Sequence, residues 1–246
     1  MPSLRFAVLK AGTAYREIRE QRGDFDRMFI DLLAEPGQAW EVHDVEHGQF
    51  PSEPAAYDGF VITGSRYSAT DDLPWLKDLF ALVRAIRGRG QGLLGICFGH
   101  QVLAQALGGE VRPNPLGWDV GVRSVQLTPA GQEVPALSAA PRPLRVFELH
   151  QDIVTRLPPG GLHLASSDHT LYEMFSLGTR TLGVQGHPEF DTEGIRVALH
   201  KLSAGGLLPP DRAAQCEATL VHEPHRPFLR QWLRDFLRTG RQQDAA

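Results

Sequence analysis

The stretch Gly92-Leu93-Leu94-Gly95-Ile96-Cys97-Phe98-Gly99-His100-Gln101-Val102-Leu103 decides the fold. Gly92 to Ile96 is a short apolar run, the pattern of a strand covered on both faces. It leads straight into Cys97. Val102, Leu103, Ala106 and Leu107 then recur at helical spacing until Gly108-Gly109. A strand that passes into a helix through G-x-C-x-G has the form of a nucleophile elbow. Glycines two residues before and two after Cys97 remove the Cβ atoms that a sharp turn would bring together. The cysteine then projects above the carboxyl end of the sheet, where α/β proteins place their sites. The helix aims its positive end at the sulfur and favours the thiolate, while the Phe98 N–H is placed to meet a developing oxyanion. A buried structural cysteine is the commoner reading of a lone Cys; the paired glycines weigh against it.

Strand and helix patterns alternate before the elbow. Leu4 to Leu9 reads as a buried strand ending at Ala11-Gly12. Phe25, Met28, Phe29, Leu32 and Leu33 share one helical face, which stops near Pro36-Gly37. Trp40 to Val45 and Tyr57 to Ile62 read as strands, the latter ending at Thr63-Gly64-Ser65. Trp75, Leu79, Leu82, Val83 and Ile86 line another helix, with Pro74 in its first turn. This alternation predicts a parallel sheet with helices on both faces.

From about Val120 the pattern changes to short strands between Pro and Gly turns, at Val122 to Leu127, Leu144 to Phe147, Leu162 to Leu164 and Leu171 to Leu177. Thr181 to Gln185 is a final strand running into Gly186-His187-Pro188-Glu189. Helices close the chain, the last carrying Phe228, Leu229, Trp232, Leu233, Phe236 and Leu237 after Pro227. No Pro/Gly/Ser linker divides the chain. The expectation is one three-layer α/β domain over residues 1–246. Its central sheet is mostly parallel, flavodoxin-like and flanked by helices, with a small antiparallel β portion beside it and a frayed tail at 241–246.

Composition narrows the function classes. With 42% hydrophobic and 22% charged residues, the 246-residue chain can bury a sizeable core. Its 25 basic and 29 acidic residues argue against nucleic-acid binding through bulk positive charge. No apolar run approaches the ~20 residues that span a bilayer, and no signal-peptide stretch opens the chain. Two cysteines, Cys97 and Cys216, exclude a disulfide framework and suit a reducing, cytoplasmic setting.

A thiolate needs a base, and His187 is the strongest candidate. In extended backbone His187 and Glu189 point to one side, with Pro188 stiffening the chain between them. Glu189 can hold one imidazole nitrogen while the other faces Cys97, the nucleophile–base–orienter arrangement. H-x-E alone also describes an ordinary surface loop; a cysteine elbow followed by H-P-E at a strand end is much more specific. His100 inside the elbow is expected to pack locally, and Cys216 to be a helix core residue. Arg22-Gly23-Asp24 is expected to form the turn and cap before the Phe25 helix. His222-Glu223-Pro224-His225 lacks the arrangement of a zinc site and reads as a loop. No metal or cofactor is expected.

Gly95 to Gln101 together with Gly186-His187-Pro188-Glu189 resembles the class I (triad-type) glutamine amidotransferase domain, from the first strand to just past Glu189. The resemblance implies Cys97, His187 and Glu189 as the catalytic set. It implies Gly64, in Thr63-Gly64-Ser65 where many members have a Gly-Gly pair, as an oxyanion donor beside Phe98. It implies Gln101 and the segment His150-Gln151-Asp152 as substrate-binding residues. Ile62 to Ser65, Asp71 to Trp75 and Gly117-Trp118-Asp119-Val120-Gly121 are most similar to free-standing members akin to the glutaminase portion of GMP synthase, the plant γ-glutamyl peptidases included.

The function so implied is a cysteine-dependent amidohydrolase acting on the γ-carbonyl of glutamine or a γ-glutamyl compound through a γ-glutamyl thioester. Two alternatives stay open. One is a glutaminase subunit delivering ammonia to a separate synthetase; the other is a non-catalytic binding or regulatory module on the same fold. A different cysteine hydrolase of the same α/β layout is a weaker third reading, because the H-P-E element argues against it.

Overall fold

The structure is a computed structural model that describes residues 4–239. The tail expected at 241–246 lies outside the described residues. Five strands come first in the chain: β1 (Leu4–Lys10), β2 (Gln38–Asp44), β3 (Gly59–Ile62), β4 (Gly92–Ile96) and β5 (Glu110–Pro113). Six follow: β6 (Asp119–Leu127), β7 (Leu144–His150), β8 (Asp152–Arg156), β9 (Leu162–Ser166), β10 (Met174–Leu177) and β11 (Thr181–Val184). The helices are α1 (Arg16–Arg22), α2 (Phe25–Leu33), α3 (Pro74–Gly88), α4 (Phe98–Ala106), α5 (Pro129–Glu133), α6 (Thr192–Ala204), α7 (Pro210–Thr219) and α8 (Arg226–Thr239).

Nine strands form one sheet in the order β2-β1-β3-β4-β11-β10-β9-β6-β7. The first five run parallel. The remaining pairings are antiparallel and continue the same sheet, while β5 and β8 form a separate antiparallel pair. The expected α/β layout is therefore present, with part of the antiparallel portion fused to the parallel core.

Alternation along the central strands explains the two covered faces. Phe6, Val61, Leu94 and Ile96 join the core beneath α2, α6 and α8. Ala7, Leu9, Phe60, Ile62 and Leu93 join the core beneath α3 and α4. The predicted α2 face, from Phe25 to Leu33, is buried throughout. Asp24 caps this helix: its Oδ1 accepts from the Phe25 N–H at 2.9 Å and the Ala14 N–H at 2.8 Å, after a left-handed Gly23. Arg22-Gly23-Asp24 is thus the turn and cap expected.

Some elements differ from the periodicity reading. β3 starts at Gly59, because Pro54–Ala56 forms a 3-10 turn before it. β10 starts at Met174 rather than Leu171, which lies exposed in a turn. Periodicity gave no sign of α1, whose only buried residue is Ile18, or of β5 and β8, which pair with each other. Cys216 lies buried in α7, as expected.

Helix α8 seals the α2 face with Leu229, Trp232, Leu233 and Leu237. Its Arg230 and Arg234 donate to the Leu32 carbonyl at 3.1 Å and 3.0 Å, satisfying the end of α2. Leu233→Ala should cost about 2–5 kcal/mol, the range for a fully buried leucine. Urea unfolding should show a lower midpoint at unchanged slope.

Candidate active site

The carboxyl ends of three adjacent parallel strands build the site. Ile96 of β4 pairs with Val184 of β11, and Gly95 with Ile62 of β3. The segments that leave these strands, Cys97-Phe98, Gln185 to Glu189 and Thr63-Gly64-Ser65, therefore emerge side by side.

Cys97 has φ 51° and ψ −104°, and no other described non-glycine residue has a positive φ. Such backbone costs of order 1–3 kcal/mol and is held only by its surroundings. Its N–H donates to the Val184 carbonyl at 2.9 Å, and its carbonyl accepts from the Gln101 N–H at 3.1 Å. The glycines supply room. A Cβ on Gly95 would stand 2.3 Å from the Gly99 carbonyl oxygen, and one on Gly99 2.3 Å from that of Ile62. The turn is an elbow in which the cysteine carries the strain and the glycines permit the approach.

His187 and Glu189 face the thiol. His187 Nδ1 donates to Glu189 Oε1 at 2.7 Å, with both side chains buried. His187 Nε2 lies 3.3 Å from the Leu149 carbonyl oxygen, which is also 3.7 Å from Cys97 Sγ. This carbonyl therefore lies within reach of both groups. Burial opposes protonation of the His187 ring. The negative charges of Cys97 and Glu189, each also a hydrogen-bond partner, outweigh it and lift the His187 pKa well above the ordinary imidazole range.

Gly64 lies against the same ring: a Cβ there would stand 3.4 Å from His187 Cε1. Thr63 anchors its loop by accepting from the Ala11 N–H at 3.0 Å. The Phe98 N–H opens α4, where it has no intrahelical acceptor.

A cavity of about 170 Å³ opens over Cys97. All four expected substrate-binding residues, Gln101, His150, Gln151 and Asp152, line it, and so do Phe98 and Leu149. Gln101 Nε2 donates to the Asp152 carbonyl at 2.8 Å and to Gln185 Oε1 at 3.2 Å, so this amide joins the cavity wall to β11. His150 is buried; its Nδ1 donates to the Asp152 carbonyl at 3.1 Å. Asp152 Oδ2 accepts from the Ser68 hydroxyl. Ser65, Arg66, Tyr67, Ser68 and Trp118 complete the lining. Of these, only Ser65 and Trp118 fell in segments singled out from the sequence. A larger groove of about 740 Å³ lies behind Glu189, between α2 and α8, and does not reach Cys97.

His100 is fully buried, with its ring 4.9 Å from that of Phe175, and burial drives its pKa down to about 3. It packs locally, as expected. His225 accepts from the Arg145 N–H at 2.9 Å and ties its loop to β7. Among the described residues one group of side chains has metal-ligand spacing, Asp44, Glu46 and His47. Asp44 there is already engaged by Lys10 at 3.0 Å and His47 at 2.8 Å.

Sequence reasoning missed the buried carboxyls beneath the site. Glu148, Glu173 and Asp119 are almost wholly buried. Burial, then the Asp119 charge, pushes the Glu148 pKa up to about 8. Burial and the Glu148 charge hold Glu173 well above the carboxylate range. Glu148 Oε2 lies 3.3 Å from His150 Nε2. A Cβ on Gly186 would stand 2.8 Å from Glu148 Oε1, which explains a glycine just before His187. The available signal was the E-x-H spacing of Glu148 and His150 in β7, the mirror of H-x-E.

Comparison with known proteins places the chain in a family. The model of the class-I glutamine amidotransferases matches residues 23–199. The chain is 33% identical over 232 residues to γ-glutamyl peptidase 5 of Arabidopsis thaliana, covering 93% of this chain and 92% of that protein. It is 30% identical over 240 residues to γ-glutamyl peptidase 3 of the same plant, covering 95% and 96%. Among solved structures, a glutamine amidotransferase from Thermotoga maritima superposes with a TM-score of 0.74 at 23% identity, covering 96% of this chain and 98% of that one.

The charge balance at His187 has a measurable consequence. Its imidazole should stay protonated as pH rises past the ordinary histidine range. Cys97→Ser and Glu189→Gln each remove a negative neighbour, so each should lower the midpoint. Ring resonances followed by NMR across pH check this; a His187 that titrates in the ordinary range in the parent protein would contradict it.

Proposed function

We propose that this chain, which belongs to the class-I glutamine amidotransferase family, is a cysteine-dependent hydrolase of γ-glutamyl amide bonds. The observation that carries the reading is the strained Cys97 beside a buried His187 whose far nitrogen is held by Glu189 at 2.7 Å. Relatives named γ-glutamyl peptidases, matched along nearly their whole length, support the substrate class.

In this mechanism the Cys97 thiolate attacks the γ-carbonyl carbon and a C–S bond forms. The carbonyl electron pair moves onto oxygen, where the N–H groups of Gly64 and Phe98 receive it. A single oxyanion donor is typically worth about 3 kcal/mol. As the tetrahedral intermediate collapses, the C–N bond breaks and His187 gives its Nε2 proton to the departing amine. Water then attacks the γ-glutamyl thioester, giving a proton to His187; the C–S bond breaks, releasing glutamate and restoring the thiolate–imidazolium pair. Glu189 fixes the ring orientation and balances the imidazolium charge.

The fold also suits delivery of ammonia to a synthetase, but the γ-glutamyl peptidase relatives favour hydrolysis by the chain alone. Gln101 and Asp152 on the cavity wall are the proposed contacts for the glutamyl moiety.

Purified protein should hydrolyse γ-glutamyl dipeptides, and Cys97→Ser should abolish turnover together with covalent labelling by a glutamine-like electrophile. Cys216→Ser should leave both intact. His187→Ala should lose nearly all activity, whereas Glu189→Gln should lose less, up to ~10⁴-fold. Its alkaline limb should move to lower pH, because the charge that keeps His187 protonated is gone. Labelling that persists in Cys97→Ser would put the nucleophile elsewhere.

A further inference from the structure

The cavity over Cys97, at about 170 Å³, is of a size for one amino-acid-like group. If the γ-glutamyl moiety fills it, the amine-side portion of a peptide substrate must lie across the rim. Arg66 is the one lining residue that carries a permanent positive charge.

Arg66 is held in place by aromatic stacking that begins at the elbow. The Phe98 ring lies 6.1 Å from that of Trp75, and Trp75 lies 5.6 Å from Tyr67, edge-on. The Arg66 guanidinium sits over the Tyr67 ring at 5.2 Å, and its Nη2 donates to the Tyr67 hydroxyl at 3.3 Å. Tyr67 in turn donates to Glu46 at 3.0 Å. The Arg66–Glu46 separation, 3.6 Å, is longer than a hydrogen bond, and 73% of the Arg66 side chain faces solvent. The guanidinium thus rests on a ring packed toward the elbow, on the lining of the cavity that Cys97 also lines, while retaining N–H donors for a ligand. A planar fork of this kind matches a carboxylate.

Resting on the hydrolase reading above, we propose that Arg66 is a specificity-determining residue that binds the free carboxylate of the leaving amino acid or peptide. The preferred substrates are then γ-glutamyl peptides rather than γ-glutamyl amides of uncharged amines.

The test compares kcat/KM for γ-glutamylglycine and γ-glutamylethylamide, which share the glutamyl group and differ in the leaving-group carboxylate. In Arg66→Gln the peptide-to-amide ratio should fall roughly ten- to hundred-fold, the loss of a charge-assisted pair. Arg66→Lys should recover part of it through charge alone. Tyr67→Leu, which removes the supporting ring, should give an intermediate ratio. An unchanged ratio in Arg66→Gln overturns the proposal. Equal losses on both substrates also overturn it, by assigning Arg66 to the glutamyl carboxylate. A parent protein that hydrolyses neither compound defeats the hydrolase reading itself, and the Arg66 assignment with it.

Discussion

The backbone at Cys97 is the constraint on which the site depends. A left-handed residue at a strand-to-helix junction is unfavourable by itself, and here the neighbouring strands hold it. Val184 accepts its N–H, Gly95 lets α4 approach β4, and Gly99 lets α4 approach β3. The same contacts that hold the turn place the strand ends around it. β11 lies on one side with His187 beyond its end, and β3 on the other with Gly64. The parallel core thus fixes both the Cys97 conformation and the positions of His187 and Gly64 around it.

Electrostatics give this geometry its chemical character. An imidazole as buried as His187 would ordinarily be neutral. Negative charge from Glu189 and the neighbouring sulfur site reverses that preference and raises the His187 pKa. Beneath it, Glu148 and Glu173 lie buried, where burial favours their neutral forms. Glu148 fills the space against Gly186, where a Cβ would stand 2.8 Å from its Oε1. His150, Asp152 and Gln101 continue this polar layer to the cavity wall.

The cavity lining combines uncharged polar and carboxylate groups with one arginine. Asp152 and Gln101 lie on the cavity wall, which Cys97 also lines. Its rim carries Arg66, connected to the elbow by Tyr67, Trp75 and Phe98. Under the proposed reading, this packing would tie recognition of a substrate's distal group to the position of Cys97. Relatives at about one-third identity share the chain along most of its length, while rim side chains can vary without disturbing the strand ends, since they sit on loops.

The elements with strong local periodicity were legible in the sequence: the alternation around β1, β3 and β4, the α2 and α3 faces, and the apolar face of α8. The elbow was legible because a glycine two residues either side of a cysteine reports a close backbone approach. His187-Pro188-Glu189 was legible because extended backbone puts alternate residues on one side. Tertiary structure alone decided the strand order that places β11 beside β4, about 90 residues earlier in the chain, since local patterns encode which face is buried and not which strand lies next to it. It also decided the Leu149 carbonyl between thiol and imidazole, the Glu148–Glu173 pair and the stacking that supports Arg66. Each of these depends on backbone atoms or side-chain packing between separate segments, and none has a local periodicity to reveal it.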